Sequence, residues 1–184
     1  MLFRSARHVE RAEILREKGT DRSRFFRGQV DKYTWVDVGS SYLPSELLSA
    51  FLFAQLEARE EIQARRHHIW RYYADRLAEW SQTRGVRLPV VPVSCEHPAH
   101  IFYMLLPSLA DRQALISHLR NHGISSVFHY LPLHLSDMGQ QFGGRKGDCP
   151  VTEDVSDRLL RLPFFNELTD AHLARVVAAI RQWR

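Results

Sequence analysis

The stretch Asp31–Leu56, DKYTWVDVGSSYLPSELLSAFLFAQL, carries the most information about the fold of this chain. It leads from an aromatic segment through the turn Gly39–Tyr42 into a run rich in Leu, Ala and Phe. After Ser45 the apolar residues recur at helical spacing, which predicts a helix with Ser45 as its N-cap. Because the apolar face of this helix is broad, we expect another protein surface to cover it.

On either side of this stretch, the sequence predicts helices that alternate with short strands. We expect a helix at Ala6–Lys18, ended by Gly19, and a long ordered loop at Thr20–Ser41. Helical spacing also extends from Glu46 to about Trp80, and the pattern allows a break within it. The other expected elements are strands at Ala99–Leu106 and Ile124–Phe128, helices from Ser108 to Gly123, at Thr152–Arg161 and at Thr169–Trp183, and a loop at His129–Gly147.

The composition is that of a globular protein with one hydrophobic core, since 45% of the 184 residues are hydrophobic and 25% are charged. The 25 Lys and Arg against 21 Asp and Glu give a net charge of +4, which permits phosphate-bearing partners without indicating nucleic acid. No apolar run approaches the roughly 20 residues that span a bilayer. Cys95 and Cys149 lack a paired spacing, and no secretory signal is evident. We therefore expect a cytoplasmic protein that binds neither nucleic acid nor a membrane.

The histidines do not form a metal-binding motif. His118 and His122 are four residues apart on one predicted helix face, but Leu119 lies where a zinc protease motif has Glu, and no third ligand is evident. We therefore expect no metal site.

Three motifs, taken together, carry a family resemblance. They are the Gly39–Tyr42 turn with the helix that follows it, the sequence HYLPLH at His129–His134, and RLPFF at Arg161–Phe165. In these motifs the chain resembles the pyridoxal-phosphate (PLP) dependent aminotransferases of fold type I that act on nucleotide-linked keto sugars. The resemblance covers nearly the whole chain and implies the C-terminal part of such an enzyme.

The resemblance also implies a domain organisation within the α/β class. Residues 1–44 would form the end of the large PLP-binding domain together with an interface loop. Residues 45–80 would form a long linking helix. Residues 81–184 would form a small C-terminal α/β domain with a short, mainly antiparallel sheet.

In the family, a Gly-x-Asn-Tyr-Arg turn reaches across the dimer toward the cofactor phosphate. Here Ser41 replaces the Asn and Leu43 replaces the Arg. The resemblance therefore implies that Ser41 and Tyr42 contact the PLP phosphate, helped by backbone N–H groups before a helix. The alternative is that Ser40 and Ser41 only shape the turn.

The resemblance implies that the HYLPLH motif contacts the nucleotide-sugar substrate through His129, Tyr130 and His134. The alternative is that Tyr130 and His134 pack against the long helix. Arg27, in the early loop, is a further candidate because a guanidinium suits a diphosphate.

PLP chemistry requires a lysine that bonds covalently to the cofactor aldehyde. The lysines of this chain are Lys18, Lys32 and Lys146, and none lies in the Ser-Phe-His-x-x-Lys context of the family. The catalytic lysine is therefore expected in the part of the enzyme that precedes this chain. We expect no catalytic residue here, PLP only in the complete enzyme, and no turnover by the chain alone.

The implied reaction of the complete enzyme transfers an amino group from glutamate to a 4-keto-6-deoxy sugar linked to dTDP, for a cell-surface polysaccharide. The implied assembly is a homodimer. Two alternatives stay open: a non-catalytic interaction module that complements a separately encoded N-terminal half, and a degenerate chain without function.

Overall fold

The computed structural model describes residues 5–183. The chain forms two compact units, one ending at Glu57 and one beginning at Ala58. Among the described residues, no helix combines the length and the apolar character needed to cross a membrane. The three-part division expected from the sequence stays a prediction.

Within its described residues, 5–57, the first unit contains three α-helices, and the expected long helix after Ser45 is interrupted at Ala58, where the second unit begins. A 3₁₀ turn at Ala6–His8 leads into helix α1, and the loop that follows contains the short helix α2. The helices of this unit are α1 (Val9–Arg16), α2 (Arg22–Phe26) and α3 (Glu46–Glu57).

Gly19 explains why the first helix ends earlier than the expected Lys18. Glu17 leaves the helical region, and Lys18 and Gly19 adopt positive φ angles of 61° and 73°. A Cβ at Gly19 would overlap the carbonyl oxygen of Asp37. The Gly19 carbonyl also accepts from the backbone N–H of Val36 and of Asp37, at 2.8 and 2.9 Å. The loop after α1 is therefore ordered by backbone pairing, and glycine is required at its start.

The described residues of the first unit, 5–57, form no hydrophobic core of their own. Between residues 5 and 57 only Gly19 and Asp21 are buried. Helix α3 begins as expected, since the Ser45 hydroxyl accepts from the Leu48 N–H at 3.3 Å. Its side chains are all exposed, and Leu47 reaches 84%.

The second unit combines helices with a small antiparallel sheet, as the family resemblance implies. Its first two strands are shorter than the strands expected at Ala99–Leu106 and Ile124–Phe128. Its helices are α4 (Arg59–Thr83), α5 (Leu109–Asn121), α6 (Asp137–Gln141), α7 (Pro150–Arg158) and α8 (Asp170–Gln182), with a 3₁₀ turn at Leu133–Leu135. Its strands are β1 (Tyr103–Leu105), β2 (Val127–Phe128) and β3 (Leu159–Arg161), in the order β1-β3-β2. Both neighbours are antiparallel to β3, with Leu160 opposite Met104 on one side and opposite Phe128 on the other.

The expected helix at Thr152–Arg161 is wrong at its C-terminal end. The helix stops at Arg158, and the next three residues form the central strand of the sheet. Leu159 and Leu160 are both buried. A central strand contacts neighbours on each side, so a short apolar run suits β3 better than a further helical turn.

One stripe of α4 forms the centre of the core. Ile69, Tyr73 and Leu77 are fully buried, at the helical spacing seen in the sequence. The buried Tyr73 hydroxyl donates to the Pro163 carbonyl at 3.0 Å, and burial raises the Tyr73 pKa well above its ordinary value. The other side chains of the core come mainly from the strands, α5 and α8: Phe102, Met104, Leu106, Leu115, Leu119, Leu160, Leu162, Leu173, Val176 and Ile180.

Candidate functional site

The HYLPLH motif, His129–His134, lies directly after β2, and we call it the His-Tyr segment. Tyr130 has a φ of 38° and its side chain is 70% exposed. For a bulky residue this backbone conformation costs roughly 1–3 kcal/mol and persists only where surrounding contacts enforce it. Strained residues of this kind cluster at functional sites.

Two arginines hold the start of the His-Tyr segment. The guanidinium of Arg161 lies 5.5 Å from the centroid of the Tyr130 ring, and it donates weakly to the Phe128 carbonyl at 3.4 Å. The guanidinium of buried Arg112 lies 5.5 Å from the Phe128 ring centroid and donates to the Ser156 carbonyl of α7 at 2.8 Å. These cation–π and hydrogen-bond contacts tie β2 and Tyr130 to α7 and β3.

A carboxylate holds the other end of the segment. His134 Nε2 donates to Glu153 Oε1 at 2.9 Å, and the two side chains are only 17% and 15% exposed. The same oxygen accepts from the backbone N–H of Gly147 at 2.8 Å and of Cys149 at 3.5 Å. The hydrogen bond from His134, followed by that from Gly147, lowers the pKa of Glu153 below its ordinary value.

Two glycines let the backbone of this region pack closely. A Cβ at Gly139 would overlap the Leu133 carbonyl oxygen, and a Cβ at Gly144 would overlap the His134 carbonyl oxygen. The residues after the His-Tyr segment therefore fold back against its C-terminal end. Ser136 caps the helix between them by accepting from the Gly139 N–H at 3.1 Å.

The His-Tyr segment and α7 form the walls of an open cavity of about 570 Å³. The lining is mostly apolar, with a few polar groups that come from His129, Tyr130, Thr152 and Ser156. Ligand sites in proteins commonly combine an apolar lining with a few polar groups. The structure thus places His129 and Tyr130 at the cavity, whereas the His134 side chain bonds to Glu153.

In the first unit, Ser41 and Tyr42 lie beside the end of α1. The Tyr42 N–H donates to the Arg16 carbonyl at 3.0 Å, and Ser41 forms an isolated antiparallel bridge with Glu17. Tyr42 is 72% exposed, and Ser41 is exposed as well. Among the described residues, neither hydroxyl has a hydrogen-bond partner, so both are free to meet a phosphate.

Arg27 is already paired with a carboxylate. Its guanidinium donates to both oxygens of Glu13, at 3.0 and 2.9 Å, and to Gln29 at 3.1 Å. This hydrogen bonding raises the pKa of Arg27 and lowers the pKa of Glu13. Arg24 pairs with Glu10 beside it, in a groove of about 580 Å³. A diphosphate would have to compete with Glu13 for Arg27.

The residues present fit only part of a PLP site. Free hydroxyls at Ser41 and Tyr42 suit a phosphate contact. The side chains of Lys18, Lys32 and Lys146 are all exposed, and none lines the cavity at the His-Tyr segment. Among the described residues, none of the three lysines therefore lies in a desolvated pocket of the kind that activates a lysine for covalent catalysis.

The sequence of the chain matches the DegT/DnrJ/EryC1/StrS aminotransferase family over residues 1–181. The chain belongs to this family. Family members are PLP-dependent, and the Streptococcus pneumoniae sugar aminotransferase Spr1654, solved in its PMP form, covers 92% of this chain with a TM-score of 0.80 and 20% identity. This chain covers 43% of that protein.

A curated transaminase and a solved structure from Streptomyces venezuelae are similar to this chain in sequence. A dTDP-3-amino-3,4,6-trideoxy-alpha-D-glucose transaminase is 28% identical over 157 residues, which are 85% of this chain and 40% of the relative. The crystal structure of DesV has a TM-score of 0.81 and 27% identity, covering 97% of this chain and 44% of DesV. The chain spans less than half the length of the curated relatives it matches, 40% to 46%.

The sequence alone does not indicate the contacts that Glu153 and Arg161 make. The sequence signal for Glu153 was an acidic residue in the first turn of a helix that follows a glycine-rich stretch. Arg161 belongs to the RLPFF motif, which by itself gives no sign of a contact with Tyr130. Within residues 5–183, no cluster of three His, Cys, Asp or Glu side chains could hold a metal ion. His118 and His122 bond to backbone carbonyls instead, those of Ala179 and His118.

Proposed function

We propose that the chain is the C-terminal part of a PLP-dependent aminotransferase that acts on a sugar linked to dTDP. The reaction would transfer an amino group from glutamate to a 4-keto-6-deoxy sugar for a cell-surface polysaccharide, as in dTDP-4-amino-4,6-dideoxygalactose transaminases. The observation that carries the proposal is the cavity at the strained Tyr130, formed by the family motif HYLPLH and helix α7. We propose a cytoplasmic location, where nucleotide sugars are made.

The curated sugar-modifying relatives support the substrate class. Two of them are dTDP-3-amino-3,4,6-trideoxy-alpha-D-glucose transaminases, and this name indicates that they act on dTDP-linked sugars. The position of amination on the sugar is part of our proposal and rests on the family resemblance alone, because no residue of this chain fixes it.

The residues of this chain would bind and orient the ligands. The Tyr130 hydroxyl and the His129 ring, at the polar edge of the cavity, would bond to sugar or diphosphate oxygens. The apolar lining would exclude water from the sugar. Ser41 and Tyr42 would contact the cofactor phosphate from one side, and Arg27 would meet the substrate diphosphate after releasing Glu13.

PLP, when bound in the complete enzyme, supplies the electron sink for amino transfer. The covalent lysine would come from a part of the enzyme outside this chain. We therefore propose that the chain alone does not catalyse the reaction.

The exposed helix α3 favours a partner surface as part of this function. All of its side chains are exposed, and between residues 5 and 57 no hydrophobic side chain is buried, so this surface requires a cover to be stable in water. A second copy in a homodimer fits this requirement. A separately encoded N-terminal half that the chain complements as an interaction module fits it equally.

The ligand part of the proposal is tested by titrating the isotope-labelled chain with dTDP and following amide shifts by NMR. We expect saturable shifts at His129, Tyr130 and Thr152, and their loss in Tyr130→Phe. Tyr103→Phe serves as the matched control, because Tyr103 lies in β1 and does not line the cavity. Shifts confined to residues outside the cavity would contradict the proposal.

A further inference from the structure

The His134–Glu153 contact joins two segments that are far apart in sequence. His134 ends the His-Tyr segment, whereas Glu153 lies in the first turn of α7. Both side chains are largely withdrawn from water. A hydrogen bond to a carboxylate is stronger than one between neutral groups, and partial burial strengthens it further.

Glu153 also fixes a third segment, the glycine-rich turn 143–149. Its Oε1 atom accepts the N–H groups of Gly147 and Cys149 in addition to His134 Nε2. Gly144, in the same turn, approaches the His134 carbonyl so closely that a side chain would not fit. His134 is therefore held in two ways. Its ring bonds to Glu153, and its backbone packs against the turn 143–149, which also bonds to Glu153.

The His134–Glu153 contact joins the two walls of the cavity. One wall consists of the His-Tyr segment, and the other consists of the first turns of α7, including Val151 and Val155. Glu153 is the residue of α7 that reaches across to the segment. A strained backbone such as that of Tyr130 persists only where surrounding contacts enforce it, and the His134–Glu153 contact anchors the same segment on its C-terminal side.

We propose that Glu153 is a positioning residue, whose carboxylate holds the His-Tyr segment in its ligand-binding conformation through His134. The inference rests on the proposed function for the statement that the segment binds ligand. It assigns to His134 a role in orienting the segment, in place of direct contact with the substrate.

A purely local role for Glu153 is the competing explanation. Cys149, the N-cap of α7, makes no side-chain capping bond, so Glu153 could merely satisfy the N–H groups at the start of this helix. Removal of Glu153 would then destabilise α7 and the turn without changing the His-Tyr segment. The two explanations differ in what happens at residues 129–134.

The experiment compares Glu153→Ala and Glu153→Gln with the unsubstituted chain by hydrogen exchange and by dTDP titration. We expect Glu153→Ala to raise amide exchange at residues 129–134 and to weaken dTDP binding, each about tenfold. Glu153→Gln should give a smaller change, because its amide oxygen can still accept from the three donors. Asp157→Asn is the matched control, since Asp157 is an exposed carboxylate of the same helix with no hydrogen bond among the described residues.

A mutant cycle with His134→Gln separates positioning from local capping. If Glu153 acts through His134, the double variant His134→Gln/Glu153→Ala should lose no more dTDP affinity than the larger single loss. Additive losses, or unchanged exchange at residues 129–134 in a folded Glu153 variant, would overturn the proposal. If the unsubstituted chain does not bind dTDP, the proposed function fails, while hydrogen exchange still decides the positioning role.

Discussion

The guanidinium of Arg161 lies 5.5 Å from the centroid of the Tyr130 ring, so the first residue of one family motif contacts the second residue of another. The contact holds an exposed aromatic side chain on a strained backbone. It gives a physical reason for the two motifs to occur together in this chain.

We predict that Arg161→Gln loosens the His-Tyr segment. The substitution removes a cation–π contact, which is worth about 0.5–1 kcal/mol at exposed sites. Amide exchange at Tyr130 should rise a few-fold, with an intermediate effect for Arg161→Lys, because an ammonium group stacks less well than a planar guanidinium. Arg158→Gln is the control, since Arg158 pairs with Asp154. Equal exchange at Tyr130 in all three variants would show that the ring contact is unimportant.

Much of the second unit could be predicted from sequence because its signals are local. The stripe Ile69, Tyr73 and Leu77 lies at helical spacing in the sequence, and the structure buries it in the core. Ser108 caps α5 by accepting from the Asp111 N–H, and Gly123 follows the helix with a φ of 69°. These features depend on a few neighbouring residues.

The errors and omissions concern contacts between residues distant in sequence. The local sequence predicts that Leu159 and Leu160 end a helix, whereas pairing with β1 and β2 makes them part of a strand. Glu153 and His134 are 19 residues apart, and no periodicity relates them. The pairing of Arg27 with Glu13 depends likewise on how α1 and the loop after α2 are placed.

Leu160→Ala should strongly destabilise the second unit. Leu160 is fully buried in the central strand, and removing a buried leucine side chain leaves a cavity that costs about 2–5 kcal/mol. The free energy of unfolding from urea titrations measures the loss. Val151→Ala is the control, because Val151 is exposed and should change stability by less than about 0.5 kcal/mol. If Leu160→Ala hardly changed the free energy of unfolding, the conclusion that β3 lies in the core would be wrong.

The Glu153 carboxylate should make stability depend on pH. Its pKa in the folded chain lies below the ordinary value of 4.5, so folding favours its charged form. The stabilisation is fully present above pH 4.5 and is lost as the pH falls through the folded pKa. The difference in urea midpoint between the unsubstituted chain and Glu153→Gln should therefore narrow below pH 4.5. A difference that stays constant from pH 7 to pH 3 would mean that Glu153 gains nothing from its three donors.

The exposed face of α3 should cause self-association of the isolated chain. Leu47 and Phe51 expose most of their surface, and contiguous apolar surface of this kind promotes association in water. Sedimentation velocity over a range of concentrations should show dimers or larger species, and the variant Leu47→Glu/Phe51→Glu should shift the distribution toward monomer. Leu109→Glu, at an exposed leucine of α5, controls for added charge. A well-behaved monomer at all concentrations would contradict the inferred partner surface.

The central claim is that this chain holds only one side of an aminotransferase site. Its most direct test is to incubate the purified chain with PLP, glutamate and a dTDP-linked 4-keto-6-deoxy sugar, trap lysine adducts with borohydride, and map them by mass spectrometry. The urea-unfolded chain gives the background labelling of Lys18, Lys32 and Lys146. We predict labelling no higher than this background and no amino sugar. A single lysine labelled to full occupancy, together with turnover, would contradict the account.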